Sequence, residues 1–218
     1  MVVLLTGSSR GIGDGIKNVF NEHTIINPSR SEMDLSDITS VEKYLKYLPP
    51  VDVIINNAGI NNIHILEKET LESINKTLLV NYLSPLTICQ YLLPHMKKQK
   101  YGRIVNIGSI WINYAKSGRG SYSASKNALH SLTKTITSEY AEHNILCNTI
   151  SPGYILTDLT LQNNSEVDLQ KIKEQIPQRR LGTIDEVAKL VHFLTLENTY
   201  INGQNITIDG GYSTTAKS

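Results

Sequence analysis

The chain has 218 residues, of which 40% are hydrophobic and 19% charged, and its formal net charge is +1. These values are typical of one globular domain with a substantial core, and the near-neutral charge argues against a nucleic-acid or membrane-surface partner. Only two cysteines occur, Cys89 and Cys147, and the six histidines are scattered, so we expect neither a disulfide framework nor a metal site. No apolar stretch reaches spanning length and no basic region precedes the N-terminal apolar run, so we expect a cytoplasmic protein.

Strand-like apolar runs alternate along the chain with segments of helical periodicity. The predicted strands cover 2–6, 24–27, 51–59, 102–109, 145–153 and 204–211, and the predicted helices cover 12–20, 38–48, 71–96 (kinked near Pro85), 122–143 and 184–196, the last with a Thr183–Glu186 capping box. This alternation is typical of a doubly wound parallel sheet, so we predict a single Rossmann-like α/β domain over 1–218. We expect the polar segment 155–180 to form a mobile lid and the tail from Ser213 to be frayed.

A glycine-rich turn, TGSSRGIG at 6–13, joins the first strand to the first helix. Gly7, Gly11 and Gly13 permit a tight turn and a close approach of a ligand to the backbone. The N-terminus of the following helix offers free N–H groups and a positive dipole end for a pyrophosphate. Glycine also simply makes turns, but the strand–turn–helix context favours nucleotide binding.

The order of motifs along nearly the whole chain resembles the classical short-chain dehydrogenase/reductase family. The motifs are the glycine turn, NNAG at 56–59, Ser109, YSASK with Tyr122 and Lys126, and Pro152-Gly153. The phrases YGRIVNIGS and INGQNITIDGG resemble most the bacterial 3-oxoacyl-[acyl-carrier-protein] reductases, although sugar and polyol reductases share them. The resemblance implies a nicotinamide-dependent oxidoreductase acting on a carbonyl or a secondary alcohol.

The end of the second strand, NPSR at 27–30, bears on the choice of cofactor. NAD enzymes of this fold usually place an acidic residue there for the ribose 2′-hydroxyl, and none occurs. Arg30 and Arg10 can instead neutralise a 2′-phosphate while Ser9 or Ser29 donates hydrogen bonds; alternatively, both arginines are solvated surface residues. We predict NADP(H), with NAD(H) as the less favoured cofactor.

The segment after Arg30 departs from the family pattern. Asp34 and Leu35 resemble the family's adenine-contacting pair, but only three residues separate Arg30 from Asp34, where relatives carry a crossover helix and a strand. A parallel crossover needs about a dozen residues. We therefore predict that the second crossover helix is missing, that the third, edge strand is shortened, and that the adenine pocket is more open. The expected cofactor contacts are Gly7, Ser9, Arg10, Gly11, Ile12, Gly13, Ser29, Arg30, Asp34, Leu35, Asn57, Ala58, Gly59, Tyr122, Lys126, Pro152, Gly153 and Thr157.

The spacing of Tyr122 and Lys126 places both side chains on one face of a helix, one turn apart. The ammonium favours the phenolate, so we expect Lys126 to lower the pKa of Tyr122. The resemblance implies that Tyr122 donates a proton to the substrate oxygen in the reductive direction and that Ser109 polarises the same carbonyl. It also implies that Asn81, in a distorted helix, holds a water in a proton relay to Lys126. Each motif alone can occur by chance; together with the nucleotide turn they favour catalysis.

The substrate side is the least readable part of the sequence. Besides Ser109, we expect Trp111, Tyr114 and Tyr154, with Ile110, to form pocket walls, and packing under the lid is the equally weighted alternative. A small-molecule or acyl-thioester carbonyl is the expected substrate, and the resemblance implies a homo-oligomer, either a dimer or a tetramer.

Three functions stay open at this point. The first is reduction of a 3-oxoacyl thioester, for which the basic stretch 97–100 with Arg179 and Arg180 is a candidate docking surface for an acidic carrier protein. The second is oxidoreduction of a sugar, sugar-nucleotide or polyol ketone. The third is a non-catalytic NADP-binding regulatory protein, against which the intact Ser109, Tyr122 and Lys126 argue.

Overall fold

The computed structural model describes residues 1–162 and 164–215, and at its centre lies a six-stranded parallel sheet in the order β2-β1-β3-β4-β5-β6. The strands are β1 Val2–Leu5, β2 Thr24–Ile26, β3 Val53–Asn56, β4 Gly102–Ile107, β5 Ile145–Pro152 and β6 Asn205–Ile208. The helices are α1 Gly11–Val19, α2 Ile38–Leu45, α3 Leu71–Leu78, α4 Ser84–Gln99, α5 Gly120–Tyr140, α6 Asp158–Gln162, α7 Glu166–Gln175 and α8 Ile184–His192. The predicted Rossmann-like fold is confirmed; part of the tail predicted to be frayed lies outside the described residues.

Alternate residues of the strands enter two separate cores, one on each face of the sheet. Leu4, Ile54 and Ile104 pack on one face with α2, α4 and α5, whereas Val3 and Val53 pack on the other with α1 and α8. The period of two along each strand explains this division. Because both faces are covered by helices, the functional side chains are left at the carboxyl edge of the sheet.

The connection between β2 and α2, residues 27–37, consists of turns. The absence of the second crossover helix is confirmed, but the expected short third strand does not form in this described segment. The reason lies in local hydrogen bonds: the Asp34 carboxylate accepts from the Ser36 amide at 2.8 Å and the Ser36 hydroxyl at 2.7 Å. The Ser29 amide likewise donates to the Glu32 carboxylate at 2.7 Å. These backbone groups are satisfied by side chains and are not available for a ladder beside β2.

The long helical stretch predicted over 71–96 is interrupted by a π-helical turn, Leu79–Leu83, between α3 and α4. The predicted kink near Pro85 therefore lies slightly earlier, and Pro85 itself is tolerated in the first turn of α4. Asn81, in the π turn, exchanges two hydrogen bonds with the backbone of Ile60, at 2.9 Å and 2.8 Å. The distortion is held by this tertiary contact.

The segment expected to be a lid contains α6 and α7, and its mobility stays a prediction. The capping box that begins α8 is confirmed, with the Thr183 and Glu186 side chains each bonded to the other's backbone amide. Among the described residues, no helix combines the length and the apolar character needed to cross a bilayer. The same residues bring together no group of three or more His, Cys, Asp or Glu side chains suited to a metal ion.

Candidate active site

A cleft of about 600 Å³ opens at the carboxyl ends of β1, β2 and β3. Most of the expected cofactor contacts line it: Gly7, Ser9, Arg10, Gly11, Ile12, Gly13, Ser29, Arg30, Asp34, Leu35, Asn57, Ala58, Gly59 and Thr157. Residues that the sequence analysis did not assign also line it, among them Ser8, Asn27, Met33, Ser36, Ile60 and Lys76. Tyr122, Lys126, Pro152 and Gly153 are not part of this lining.

The glycine turn and the NNAG stretch form one unit. The Thr6 hydroxyl accepts the amides of Asn57 and Ala58, each at 3.1 Å, and the Asn57 side chain donates to the Gly7 carbonyl at 2.9 Å. A Cβ on Gly13 would lie 2.0 Å from the Gly7 carbonyl oxygen and 2.6 Å from Asn57 Nδ2. Gly7 itself has φ +69°. Glycine at these positions lets the two backbones approach each other and leaves the cleft floor open.

The first turn of α1 fits a diphosphate. Its N-cap residue, Arg10, makes no side-chain capping hydrogen bond, so the first amides of the helix are left for a ligand. The positive end of the helix dipole favours an anion there. Across the cleft, Thr157 approaches Gly11, where a Cβ would lie 3.7 Å from the Thr157 methyl group. The residues present therefore fit a dinucleotide.

The end of the cleft at which we expect the adenine, called the adenine end below, is built from the turn 27–37. Arg30 pairs with Asp34 at 3.2 Å, although the arginine side chain is 74% exposed. Hydrogen bonds from the Ser36 hydroxyl and amide lower the pKa of Asp34, and Arg30 adds to this effect. A carboxylate that the sequence analysis did not consider also lies here, because Glu32 accepts the Ser29 hydroxyl at 2.7 Å. Arg10 has no ion pair among the described side chains.

Lys126 occupies a buried position behind the cleft. Its ammonium is on a side chain only 3% exposed and donates to the Ile107 carbonyl at 2.6 Å. Its Nζ lies 5.8 Å from the centre of the Tyr122 ring, which agrees with the expected helix-face pairing. Burial lowers the pKa of Lys126 to about 8.

The pKa of Tyr122 is raised, because burial disfavours the phenolate; the Ser109 hydrogen bond and the Arg119 charge oppose this effect. We expected Lys126 to lower this pKa, and for the net shift this expectation is wrong. The spacing in the sequence shows that a charge lies near Tyr122, but it does not show that Tyr122 is buried. Ser109 begins the 3-10 turn Ile110–Ile112 and accepts the Trp111 amide at 3.3 Å. The hydroxyl groups of Ser109 and Tyr122 are therefore hydrogen-bonded to each other.

Asn81 and Lys126 both lie next to Gly59, a residue of the cleft lining. A Cβ on Gly59 would lie 3.3 Å from both Asn81 Oδ1 and Lys126 Nζ, so the three groups surround one small space. The Asn81 amide also donates to the Ser125 hydroxyl at 3.0 Å. The relay through Asn81 remains a prediction.

The expected substrate residues separate into two places. Trp111 and Tyr154 line a second cavity of about 400 Å³ together with Tyr212. The rings of Trp111 and Tyr154 contact each other edge to face, with their centroids 6.2 Å apart. Ile110 is buried in the same apolar cluster. Tyr114 lies apart from this lining, with its hydroxyl bonded to the Ser213 carbonyl.

The residues at the end of β5 have a structural role in this arrangement. The Gly153 amide donates to the Ile208 carbonyl at 2.9 Å, which extends the pairing of β5 with β6. A Cβ on Gly153 would lie 2.6 Å from the Asp209 Cβ, so only glycine fits there. The expected contact of Pro152 and Gly153 with a nicotinamide stays a prediction.

The sequence analysis missed Arg119, the N-cap residue of α5. Two of its guanidinium nitrogens, Nε and Nη1, are buried without a hydrogen-bond partner in the described structure. Its charge acts on the phenols of Tyr122 and Tyr154. The signal in the sequence that could have identified Arg119 is the presence of a basic residue three positions before the tyrosine of the YxxxK motif.

A parallel doubly wound sheet with a dinucleotide-shaped cleft and a Ser–Tyr–Lys cluster defines a nicotinamide-dependent oxidoreductase. The chain belongs to the short-chain dehydrogenase/reductase family, and a family model described as Enoyl-(Acyl carrier protein) reductase matches residues 29–213. It is similar to the 3-oxoacyl-[acyl-carrier-protein] reductase FabG of Aquifex aeolicus, with 34% identity over 96% of each chain.

Two solved structures extend this comparison. A 4-hydroxyisoleucine dehydrogenase variant complexed with NADH and succinate superposes with a TM-score of 0.93, at 26% identity over 100% of each chain. A protein described as an NAD(P)-dependent gluconate 5-dehydrogenase from Beutenbergia cavernae, with bound NADP, has a TM-score of 0.89 at 25% identity, covering 98% of this chain and 97% of its own. Relatives of this fold thus bind either nicotinamide cofactor.

Proposed function

We propose that this protein is an NADP(H)-dependent oxidoreductase that interconverts a carbonyl and a secondary alcohol, with Tyr122 as the proton donor and acceptor. The observation that carries the proposal is the joint placement of Ser109, Tyr122 and the buried Lys126 beside a cleft that fits a dinucleotide. The cofactor, when bound, supplies or accepts the hydride.

The protein's own groups account for the proton. A raised pKa keeps Tyr122 a neutral phenol at neutral pH, which is the form that donates a proton to a carbonyl oxygen during reduction. Ser109 donates a hydrogen bond to the same oxygen as negative charge develops on it. Lys126, still mostly protonated at pH 7 with a pKa of about 8, stabilises the phenolate that remains.

The preference for NADP(H) is supported by two cations at the adenine end of the cleft, Arg10 and Arg30. Arg30 already pairs with Asp34, so Arg10 is the one of these two cations that is available to neutralise a 2′-phosphate. We expect Arg10→Ala to weaken NADPH binding by about 5- to 10-fold, the effect of one partly exposed charge-assisted contact, and to leave NADH binding unchanged. Equal weakening of both cofactors, measured by fluorescence titration, would remove the NADP assignment.

The first substrate class to test is a 3-oxoacyl thioester, because the Aquifex relative carries that activity in its name. The basic stretch 97–100 does not support it: Lys100 is the C-cap residue that follows α4 just before β4, whereas Ser109 follows the other end of that strand, about 20 Å away. Arg180 is engaged with Glu186 at 2.6 Å. A ketone of a sugar acid or polyol is the second candidate, supported by the gluconate 5-dehydrogenase likeness.

The test is initial-rate oxidation of NADPH, with NADH alongside, on an acetoacetyl-carrier-protein thioester and a panel of keto-sugars and their acids. Tyr122→Phe is the blank, and we expect it to lose about 10²- to 10⁴-fold in kcat/KM. Turnover of the thioester supports the first class, and turnover of a sugar ketone supports the second. If wild type and variant both bind the cofactor and neither turns over any substrate, a regulatory NADP-binding protein becomes the favoured function.

We also propose that the protein acts as a cytoplasmic homo-oligomer, a dimer or a tetramer. Leu66 and Leu71, at the start of the α3 region, are 81% and 76% exposed, which suits an interface between copies. Both described cysteines are free thiols, as in a reducing compartment. Light scattering after size exclusion measures the assembly, and a monomer at micromolar concentration would contradict the oligomer.

A further inference from the structure

The second cavity, of about 400 Å³, lies between the loop after β4 and helix α7. Its floor is apolar and buried, since Trp111, Ile172 and Tyr212 are 8%, 7% and 4% exposed. Its rim is polar and exposed, with Lys116 on the loop side and Lys171 on the α7 side. A concave apolar surface with a few placed polar groups is the usual form of a small-ligand site.

The floor of the second cavity adjoins the proposed reaction centre. The ring of Tyr122 packs against the apolar cluster that supplies this floor. The Trp111 backbone is tied to the same region, because its amide donates to the Ser109 hydroxyl at 3.3 Å and its carbonyl accepts the Ser123 hydroxyl at 2.6 Å. Ser109 and Tyr122 are not part of the cavity lining, so a ligand that reaches both places extends across this cluster.

Lys116 holds its ammonium against the aromatic wall of the second cavity. Its Nζ donates to the Tyr154 hydroxyl at 2.9 Å and lies 5.4 Å and 5.5 Å from the ring centroids of Trp111 and Tyr154. One hydroxyl and two aromatic rings thus position a side chain that is otherwise flexible. A positioned ammonium loses less conformational freedom when it binds a ligand, which favours binding.

The charge on the rim favours an anionic ligand. Among the described lining residues the single carboxylate is Asp168, which accepts the Ser165 hydroxyl at 2.7 Å and the Ser165 amide at 3.3 Å and so caps the start of α7. The rim therefore carries two positive charges and one negative charge, and the negative one is engaged by its own helix. A cationic ligand would meet the ammonium groups of both Lys116 and Lys171, and a neutral ligand would gain little from them.

We propose that the second cavity binds an anionic group of the substrate and that Lys116 is the specificity-determining residue that recognises it. The proposal rests on the proposed reaction at Tyr122 and narrows the substrates to oxo acids and hydroxy acids whose anion is several carbon atoms from the ketone. The middle of such a substrate packs on the Trp111 ring, which belongs to the cluster against Tyr122 and lies 5.4 Å from the Lys116 ammonium. A carboxylate, a phosphate and a sulfonate offer the same acceptor oxygens to an ammonium, so all three are tested.

The kinetic experiment uses a series of oxo acids with the carboxylate about two to six carbons from the ketone, a spacing that brackets the width of one aromatic side chain. Each acid is paired with its methyl ester, and phosphate and sulfonate analogues of the preferred length form two further arms. Wild type is compared with Lys116→Met, which removes the charge and keeps an unbranched side chain, and with Lys116→Arg, which keeps the charge. Lys173→Met, on α7 but outside the cavity lining, is the matched control for removal of a charge.

The measured quantity is the ratio of kcat/KM for the acid to that for its ester. We expect this ratio to be greatest at one chain length in wild type and to fall about 5- to 30-fold at that length in Lys116→Met, the effect of one partly exposed charge-assisted contact. The loss should appear in KM and not in kcat, because the contact is present both before and during the reaction. Lys116→Arg should recover most of the ratio, and Lys173→Met should leave it at the wild-type value.

A binding measurement separates this proposal from the proposed reaction. Calorimetry measures each acid and ester on the NADP⁺ complex, in which no ketone is reduced. Acid binding that persists in Tyr122→Phe and weakens about 5- to 30-fold in Lys116→Met supports the anion site even if no substrate turns over. Equal losses for acid and ester in Lys116→Met would overturn it, because the lysine would then only hold its loop against Tyr154.

A wild-type protein that prefers no anion over the matched ester, at any chain length and in either assay, would also overturn the anion site. Ester turnover that is lost in Tyr122→Phe would still support the proposed function in that case. The two proposals therefore fail on different results.

Discussion

Burial of the Lys126 ammonium makes the stability of the folded protein depend on pH in a predictable direction. Burial lowers the pKa of this lysine from 10.5 to about 8. At about 1.4 kcal/mol per pH unit, this change corresponds to a free-energy cost on the order of 3 kcal/mol for keeping the charged form in the folded chain. The hydrogen bond to the Ile107 carbonyl, at 2.6 Å, compensates for only part of the lost hydration.

The sign follows from proton counts in the two states. Below pH 8 both the folded and the unfolded chain hold the proton on Lys126, so this residue adds no pH dependence. Between about pH 8 and 10.5 the folded chain releases the proton while the unfolded chain keeps it. Because the unfolded state then binds more protons, the contribution of Lys126 to stability rises with pH across this window and levels off above it.

The assay is urea unfolding of wild type and Lys126→Met at intervals from pH 7 to pH 10.5. Other groups titrate in this range in both proteins, so the informative quantity is the difference between their free energies of unfolding. We expect wild type to gain up to about 3 kcal/mol relative to Lys126→Met across the window. Lys134→Met, at an exposed position on the same helix, is the control, and its difference from wild type should stay constant. Parallel curves for wild type and Lys126→Met would refute the buried-cation reasoning.

Three further predictions follow from single contacts. Gly13→Ala should abolish cofactor binding in calorimetry, since its Cβ would lie 2.0 Å from the Gly7 carbonyl oxygen; an unchanged dissociation constant would contradict the packing of the turn. Asn81→Ala should lower the free energy of unfolding by about 2–4 kcal/mol in urea, because the partly buried amide and carbonyl of Ile60 both lose a hydrogen bond; a cost under about 0.5 kcal/mol would count against this role. Cys89, whose pKa burial raises to about 12, should resist a thiol reagent at pH 8 until the chain unfolds, and rapid labelling of the native protein would argue otherwise.

The sheet was predictable because parallel strands covered on both faces lose the polar alternation of exposed strands. Every residue of β4 and of β5 is buried, and the sequence of each is a short run bounded by turn residues. The glycine turn was predictable for a similar local reason, since a tight strand-to-helix connection needs residues without a Cβ. In both cases the cause acts within a dozen residues.

The features that sequence reasoning misplaced depend on contacts between distant residues. Pro85 suggested a kink, yet the π turn is held by Asn81 bonding to the backbone of Ile60, which lies 21 residues away. The pKa of Tyr122 is set first by burial, which depends on how the loop after β4 packs over α5. Arg119 was missed because buried guanidinium nitrogens that lack a partner in the described structure can be recognised only once their surroundings are known.

The missing third strand removes the support that a sheet edge would give to the adenine end of the cleft, and a single buried hydroxyl replaces part of it. Ser84, fully buried in the first turn of α4, donates to the Leu35 carbonyl at 2.7 Å. Leu35 lines the cleft, so this bond ties the adenine turn to the helix that follows the π turn. The turn should therefore open more readily when the hydroxyl is removed.

Opening of the turn competes with cofactor binding, so Ser84→Ala should raise the dissociation constant of NADPH. The increase is bounded by the value of one buried hydrogen bond, about 1–1.5 kcal/mol, which corresponds to at most about tenfold. At saturating NADPH the turnover number should match wild type, because Tyr122 and Lys126 are untouched. Thr87→Val removes a hydroxyl from the same helix, where it bonds only to the Leu83 carbonyl, and should leave the constant unchanged. A fall in turnover with an unaltered dissociation constant would mean that Ser84 supports α5, which carries Tyr122 and Lys126. The adenine turn would then be held by the packing of Met33 and Leu35 alone.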